Sequence, residues 1–510
     1  MVRYGFLSEP DCFHPFACAS LWVLGDLFWE GLTGFGPNCR PTPRLAESIE
    51  LSEDGLTWTT HLHSGITNTD GTPFDAYTMA KYWDWVTSTE IGSWFAPTRL
   101  SASWEAKDEL TFSFTTSEPV ATYGGYDSLW VWPLAPHIWG ETTDETLWDL
   151  DMSHPVSTGP YVLTEWSKGD YLIFDAYPDY YLGKPPIDRV VVQIFANWDA
   201  AVNALLAGEV EALPAQIPTT YYELLKDAPD ITVVEQPPGR FMELLFNMYK
   251  EGVRHPAVGD RAVREAIDYA IDKQQLLDIA LLGHGILCPN AWYCGPFVSK
   301  WIDPSFTVTP YDPDKANQLL DEAGYRDGDG DGVRETADGQ PLEFRLYFSK
   351  DSPDSESSTQ MLSAWLARIG IEAIVEAQEN ATLQEALHYK RDFDMVVRVW
   401  SEEIDPAVYD LAYSCWSSEP GSGLNPTGWC NEEIDELTAK QLTTIDEKER
   451  QAIVYAQDAI FRAERPRIIL VGMNNIGAYN NTKVDAPDDA CSMMGMLMGW
   501  YGTFNTTPVK

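Results

Sequence analysis

Cationic residues are scarce in this sequence. Its 510 residues include 34 lysines and arginines against 78 aspartates and glutamates, which gives a formal net charge of −44 at pH 7. A surface of that sign repels phosphate backbones and anionic membrane faces, so nucleic acid and anionic lipid are excluded as partners. Long apolar runs are also absent. The longest, at 468–473 and 493–500, fall far short of the roughly 18 residues that a membrane-spanning helix needs.

Familiar catalytic motifs are missing as well. The sequence contains no GxSxG, HExxH, P-loop or GxGxxG pattern, and its eight histidines form no helical i,i+4 pair beside a third ligand. Because carboxylates are abundant, a two-carboxylate glycosidase site is neither located nor excluded, so a secreted acidic glycoside hydrolase stays an alternative. The 20 tryptophans fit either core packing or stacking platforms in a ligand cleft.

The eight cysteines bear on the compartment. None has CxxC spacing, which argues against a zinc ribbon or a thioredoxin-type site. Three close pairs favour local disulfides in an exported protein, with buried free thiols as the alternative. The pairs are Cys12/Cys18, Cys288/Cys294 and Cys415/Cys430. The N-terminal MVRYGFLSEPD lacks a signal-peptide pattern, so the chain is either cytosolic or an exported chain whose leader is absent from this sequence.

Short helices and strands alternate along the chain. The length predicts two to four domains, and 44% hydrophobic residues allow sizeable cores. Alternating and β-branched runs predict strands, while apolar residues on one face after an aspartate predict capped helices. The predicted elements are strands over 57–63, 189–195 and 341–348, and helices over 261–272, 312–324 and 445–463, with Asp260, Asp312 and Asp446 as N-caps.

One loop has the spacing of an EF-hand calcium loop. Carboxylates stand at positions 1, 3, 5, 9 and 12, a glycine stands at 6, and position 7 offers its carbonyl. The predicted ligands are Asp327, Asp329, Asp331, Val333, Glu335 and Asp338. Position 12 is Asp rather than Glu, and a strand rather than a helix follows. A bound structural Ca²⁺ is therefore one interpretation, and a surface turn rich in Asp and Gly is the other.

An ordered series of segments resembles the extracellular solute-binding proteins of family 5, the large peptide- and nickel-type receptors of ABC importers. The resemblance covers nearly the whole chain. No single segment is decisive, but the segments occur in the order typical of the family, and that makes the resemblance specific. The segments are LSEPDCFHPF (7–16), LAESIELSEDGLTWTTHLHSGITNTDGTPFDA (45–76), TGPYVLTEW (158–166), AVNALLAGEVEAL (201–213), LLFNM (244–248), RAVREAIDYAIDK (261–273) and YDPDKANQLLDEAGYRDGDGDGVRE (311–335).

The resemblance implies a fold and a function. The fold is α/β and periplasmic-binding-protein-like (type II), with two hinged lobes and an extra domain. Domain I comprises 1–40, 158–239 and 473–510, domain II comprises 41–157, and domain III comprises 240–472. Cys39 and Cys491 then both lie in domain I, where a bridge between them is expected. The chain is expected to be a monomeric, non-enzymatic receptor outside the cytoplasmic membrane, with a lipid anchor left open.

The expected ligand is a peptide or peptide-like solute delivered to the permease subunits, with an oligosaccharide as the alternative. No cofactor is required. Peptide-binding relatives grip an amine with the Asp of W-x-x-D, and here Trp400 is followed by Glu403 and then Asp405. The arginine that binds carboxylate in dipeptide-binding relatives is absent, and only Lys350 stands in that region.

Further cleft residues follow from position alone. Phe246 and Asn247 stand where the resemblance has the chain crossing between lobes. Trp416 and Trp429 flank a predicted disulfide loop and would form an aromatic wall, with simple packing as the alternative. Phe13 and His14, at the opening turn, are the last two candidates for the cleft.

Overall fold

A computed structural model describes residues 1–7, 9–10, 12–13, 15, 22–25, 27–150, 152–214, 216–249, 254–289, 292, 294–421, 424–487 and 505–509. This part of the chain is a mixed α/β structure in which one large sheet runs through two lobes. None of the helices it contains is long and apolar enough to cross a membrane.

Two strands, β12 (Ile231–Phe246) and β17 (Arg467–Asn480), are much longer than the rest and run through both lobes. The strands are β1 (Val2–Phe6), β2 (Thr33–Phe35), β3 (Pro41–Pro43), β4 (Ala46–Leu51), β5 (Thr57–Leu62), β6 (Ser101–Ala106), β7 (Thr111–Thr116), β8 (Tyr161–Ser167), β9 (Tyr171–Ala176), β10 (Arg189–Ile194), β11 (Ala212–Leu213), β12 (Ile231–Phe246), β13 (Gly285–Ile286), β14 (Glu343–Ser349), β15 (Glu372–Gln378), β16 (Met395–Ser401), β17 (Arg467–Asn480), β18 (Val484–Asp485) and β19 (Thr507–Pro508).

Helices cover both faces of the large sheet. The α-helices are α1 (Trp22–Gly25), α2 (Ala76–Val86), α3 (Ala96–Arg99), α4 (Ser128–Trp130), α5 (Pro136–Trp139), α6 (Trp198–Leu206), α7 (Tyr222–Lys226), α8 (Arg261–Ala270), α9 (Lys273–Ala280), α10 (Pro313–Glu322), α11 (Pro353–Ala367), α12 (Asn380–Glu385), α13 (Val408–Tyr413), α14 (Glu432–Thr443) and α15 (Glu447–Glu464).

The large sheet divides where its two long strands lose register. Its order is β15-β14-β16-β12-β17-β11-β1-β10-β9-β8, and β13 also pairs with β17. The antiparallel ladder of β12 and β17 breaks between Gln236 and Arg240. Two prolines and a glycine occupy the break, and proline has no N–H to donate to a ladder. The sheet therefore has a half with β1 and β8–β11, called lobe 1, and a half with β14–β16, called lobe 2.

A small antiparallel sheet, ordered β4-β5-β7-β6, packs on lobe 1. We call residues 46–130 the small subdomain. Trp83 of α2 stacks on Phe114 of β7 with ring centroids 4.8 Å apart. Both residues belong to the same buried cluster as Tyr4 and Val190 of the large sheet, so the small subdomain and lobe 1 share one core. At these positions aromatic residues serve packing.

Lobe 2 has a core on each face of its sheet. On one face α8, α9 and α11 bury residues such as Ile267, Leu276 and Leu362 against β12, β14 and β16. On the other face α13, α14 and α15 enclose a second cluster around Trp292, which includes Phe461. The central strands are therefore covered on both faces, as their continuous apolar sequences require.

The elements predicted from sequence are confirmed with shifts of a few residues at their ends. The strands at 57–63 and 189–195 are β5 and β10, and the strand at 341–348 is β14. The three helices are α8, α10 and α15. Their caps are those predicted: Asp260, Asp312 and Asp446 accept hydrogen bonds from the backbone N–H of Ala262, Lys315 and Glu449.

Two of the predicted disulfides are confirmed. Cys288 and Cys294 are bonded with Cα atoms 4.9 Å apart, and Cys415 and Cys430 with Cα atoms 4.6 Å apart. Cys12 and Cys39 are also in disulfides. Because Cys18 and Cys491 lie outside the described residues, the pairings Cys12/Cys18 and Cys39/Cys491 stay predictions.

Candidate functional site between the lobes

Besides the hinge strands, the two lobes meet at a contact between the small subdomain and lobe 2. The backbone N–H of Ala121 donates to the carbonyl of Leu442 over 2.8 Å. Tyr126 packs against Leu442 and Ala407, with Trp130 and Ile404 beside them. This apolar contact brings the end of β16 and the loop after it against the small subdomain.

Glu403 lies at this contact, two residues beyond β16. Its Oε2 accepts a 3.4 Å hydrogen bond from the Tyr126 hydroxyl across the interlobe boundary. Burial raises the pKa of Glu403 to about 7, and the Asp405 charge acts in the same direction. No lysine, arginine or histidine of the described residues forms an ion pair with it. The site therefore contains a partly buried carboxylate for which the described part of the chain supplies no counter-ion.

Asp405 is engaged within lobe 2. Its two carboxylate oxygens accept hydrogen bonds from Arg450 at 2.5 and 2.8 Å, a bidentate pair. Arg450 is itself held by Gln441 and lies over the Trp301 ring. Asp405 thus fixes the loop that positions Glu403. Its own charge is paired with Arg450 rather than left for a ligand.

Aromatic rings form one wall beside Glu403. Trp130 makes edge-on contacts with Phe35, Tyr126 and Trp132, with ring centroids 5.9, 6.3 and 6.3 Å apart. Trp130 is only partly buried. A wall of this kind accepts apolar groups or the faces of rings.

Trp400 lies on the adjoining strand, with the guanidinium of Arg398 4.1 Å from its ring centroid. Arg398 Nε donates to Glu243 over 2.7 Å, and Glu243 also binds Arg467 Nη1 over 2.8 Å. Glu243 is fully buried, and its one carboxylate is shared by two guanidinium groups. The terminal nitrogens of Arg398 bond no other described residue. Burial lowers the pKa of His388 to about 4, and the charges of Arg398 and Arg391 act in the same direction.

Arg398 was not among the residues predicted for the site. It stands inside the apolar run MVVRVW. A single charged residue in an otherwise apolar strand is the one sequence feature that could have indicated it. Glu403 follows it by five residues, which spans at most roughly 17 Å of extended chain. A positive and a negative group therefore lie along one edge of lobe 2.

Several predicted site residues lie away from this contact. Phe246 is fully buried in the lobe 2 core. Asn247 is also buried and directly follows β12, at the end of that strand away from the break at 237–239, and a contact with the ligand stays a prediction. Its amide donates to the carbonyls of Arg391 and Phe393, and its Oδ1 accepts from Tyr249. These bonds correspond to the turn-capping alternative.

The remaining predicted residues have other partners. Phe13 is buried edge-on against Phe28 and Trp166. Trp429 packs on Phe461 in the second lobe 2 core, which is the packing alternative. Trp416 is 48% exposed and donates to Asp410. Lys350 is paired with Glu379 on the surface. His14 lies outside the described residues.

The acidic loop is well formed. Carboxylate oxygens of Asp327, Asp329, Asp331 and Glu335 lie within 4.8 Å of one another. The loop is folded by its own carboxylates, as when Asp327 accepts from the N–H of Gly330 and Gly332. Asp338 is not in the group, because its carboxylate accepts from the Thr336 hydroxyl. The prediction of Asp338 as a ligand is therefore not matched by this geometry, and binding of calcium stays a prediction.

Comparisons with known proteins agree with this architecture. The family model for bacterial extracellular solute-binding proteins, family 5 Middle, matches residues 40–422. The glutathione-binding protein GsiB of Shigella flexneri is 26% identical over 463 residues, which cover 89% of this chain and 85% of GsiB.

Two solved structures share the fold over the full chain. One is the oligopeptide-binding protein AppA of Bacillus subtilis in complex with a nonapeptide, with a TM-score of 0.85 at 22% identity, covering 100% of this chain and 99% of AppA. The other is NikZ of Campylobacter jejuni in complex with Ni(L-His), with a TM-score of 0.85 at 21% identity, covering 99% of each chain.

The predicted family and the predicted two-lobed fold are thus confirmed. The named relatives are binding proteins, and their family is extracellular by definition. The chain belongs to the bacterial extracellular solute-binding proteins of family 5, the receptors that capture solutes for ABC importers.

Proposed function

We propose that this receptor binds a peptide or peptide-like solute and presents it to the permease subunits of an importer. The observation that carries the proposal is Glu403, a partly buried carboxylate without a cationic partner among the described residues. Leaving such a charge uncompensated is unfavourable, so a ligand ammonium group that pairs with it gains a strong, desolvated contact. The relatives named for glutathione and oligopeptide support the same solute class.

Arg398 is the proposed partner of the ligand's carboxylate. Its terminal nitrogens have no bond to the described residues, and a planar guanidinium recognises carboxylate by two parallel hydrogen bonds. At roughly 3.3 Å per extended residue, the spacing from Arg398 to Glu403 suits a peptide of about three to five residues. Trp400 and Trp130 would contact the side chains between the two ends.

The proposed domain division follows the register break. Domain I comprises 1–40, 158–239 and 473–510, domain II comprises 41–157, and domain III comprises 240–472. Under this division the solute lies between domain III and the other two. Closure of the lobes about the hinge would exclude water and strengthen each polar contact. No reaction on this chain is proposed, and one copy of the chain would suffice for binding.

An oligosaccharide is the second candidate, favoured by the partly exposed rings of Trp130 and Trp400. The two candidates make different demands on Glu403, since a neutral sugar has no cation to offer it.

The test is native mass spectrometry of the refolded protein. The chain is unfolded to release bound host solute, refolded, and mixed with tripeptides to pentapeptides and with oligosaccharides. The proposal predicts discrete peptide complexes that weaken in Glu403→Gln but not in Glu433→Gln, an exposed glutamate on α14. Sugar complexes that are unaffected by Glu403→Gln would replace the peptide assignment, and hydrolysed sugar would revive the glycoside hydrolase alternative.

A further inference from the structure

Three carboxylates surround Tyr126 where the small subdomain contacts lobe 2. Asp127 comes from the small subdomain, and Glu403 and Asp405 come from lobe 2. We call these three residues the acid cluster. Asp127 is 4% exposed and accepts a hydrogen bond from Thr122. Tyr126 lies between the lobes, and burial raises its pKa, with the charges of all three carboxylates acting in the same direction. The cluster exists only while the lobes are in contact, because its members come from both sides.

The cations near the acid cluster do not balance it. Arg450 binds Asp405 bidentately, and Arg99 of the small subdomain pairs with Asp410 of lobe 2 at 3.5 Å. Both arginines act on Asp127 only at longer range. Among the described residues four carboxylates thus face two guanidinium groups, which leaves an excess of two negative charges at the contact.

Glu402 is a different case. It precedes Glu403 in the chain and is also buried, but its carboxylate accepts hydrogen bonds from the backbone N–H of Cys294 and Gly295 within lobe 2. Its environment therefore does not depend on contact between the lobes.

Two of the carboxylates respond to burial at the contact. Burial raises the pKa of Asp127 to about 7, and the nearby Asp405 charge adds to that effect. Burial likewise raises the pKa of Glu403 to about 7. If the lobes separate, water reaches both groups and their ordinary acidity returns.

We propose that the acid cluster makes closure of the lobes conditional on a positive charge, supplied by protons in the empty receptor and by the ligand's cationic group in the loaded one. The role given to the ligand rests on the proposed function, whereas the role given to protons does not. In the empty receptor near pH 8 the excess charge disfavours closure. Closure without a productive ligand is thereby suppressed, and a cation entering the cleft releases protons as it binds.

The direction follows from linkage. The closed form binds protons more tightly at Asp127 and Glu403, so lowering the pH favours it. With a closed-state pKa of about 7 and an ordinary open-state value, the closing equilibrium changes by roughly 20-fold per carboxyl between pH 7.5 and pH 5.5. The two groups together give a change of roughly 500-fold.

Small-angle scattering of the refolded, ligand-free protein tests the proposal. The radius of gyration of the natural chain should fall as the pH is lowered from 8 to 5.5. Asp127→Asn and Glu403→Gln should each be more compact at pH 8 and respond less to pH, and Glu433→Gln should behave as the natural chain. Circular dichroism verifies that each variant is folded. A radius that does not change with pH, or a pH response unaltered in both variants, overturns the proposal.

A second arm separates this proposal from the proposed function. Adding trialanine at pH 8 should compact the natural chain without a change of pH. If trialanine has no effect while the ligand-free titration follows the pattern above, the peptide assignment fails and the proton dependence of closure stands.

Discussion

Replacing Glu243 by glutamine removes the single anion that Arg398 and Arg467 share. Glu243 is fully buried and Arg467 nearly so, with hydrogen bonds of 2.7 and 2.8 Å to the carboxylate. Glutamine keeps the shape and one acceptor oxygen but removes the negative charge that both guanidinium groups share. Breaking one partner out of a buried ion network costs about 3–5 kcal/mol. The stacking of Arg467 on Trp292, at 3.7 Å, retains part of the packing, so we expect a loss near the lower end, about 3 kcal/mol.

The assay is calorimetric melting of Glu243→Gln beside the natural chain at one pH and scan rate. For a lobe of this size, about 3 kcal/mol lowers the melting midpoint by roughly 6–12 °C. Glu343→Gln is the matched control, because Glu343 is exposed at the start of β14 and should change stability by less than about 0.5 kcal/mol. A Glu243→Gln midpoint within 1 °C of the natural chain would refute the reasoning that Glu243 neutralises both arginines.

Three further measurements address other parts of the molecule. If the acidic loop binds calcium, millimolar Ca²⁺ should raise the melting midpoint and Asp329→Asn should abolish the rise; equal midpoints with and without Ca²⁺ would count against a site. Leu442→Ala removes apolar contact between the lobes and should increase the radius of gyration, whereas Leu424→Ala, at a 38% exposed position, should not; equal radii would show that the contact does not hold the lobes together. Opening Cys415–Cys430 should cost about 3 kcal/mol and opening Cys288–Cys294 about 2 kcal/mol, since the closed loops differ in length; paired Cys→Ser variants compared by denaturant unfolding would reveal a reversed order.

Local elements were predictable because their signals are local. Asp260 before the apolar face of α8, or Asp312 with proline at the first position of α10, specifies a helix start by a hydrogen bond two or three residues away. The alternation in β5 and the β-branched run in β10 likewise depend on neighbouring residues only. The family resemblance supplied the two-lobed arrangement, because no local pattern in β12 shows that it pairs with β17 more than 200 residues later.

The candidate site was predictable in part. Glu403 came from its spacing after Trp400, and the structure places it at the interlobe contact. Asp405 and Trp429 stand near functional motifs in the sequence, but an ion pair with Arg450 and packing on Phe461 occupy them. Those partners lie tens of residues away, and sequence spacing cannot rank them. Tyr126 was missed for the same reason: its contact with Glu403 spans 277 residues.

The role of Arg398 could not be predicted from the sequence for a different reason. A lone arginine in an apolar strand is as compatible with a structural ion pair as with a ligand contact. In the structure it is engaged at Nε by Glu243, and its terminal nitrogens have no partner among the described residues. Which face of β16 meets the cleft depends on the packing of α13–α15, and that packing is a property of the tertiary fold.

The central claim, that Glu403 binds the ammonium group of a peptide, is tested most directly by a thermodynamic cycle. Titration calorimetry compares trialanine with N-acetyl-trialanine on the natural chain and on Glu403→Gln, with Glu433→Gln as the control. We predict that acetylation and the substitution each weaken binding about 30-fold or more, and that the second change adds little once the first is made, a coupling of about 2 kcal/mol. Independent, additive losses would contradict the claim, since they would show that Glu403 and the amine do not meet.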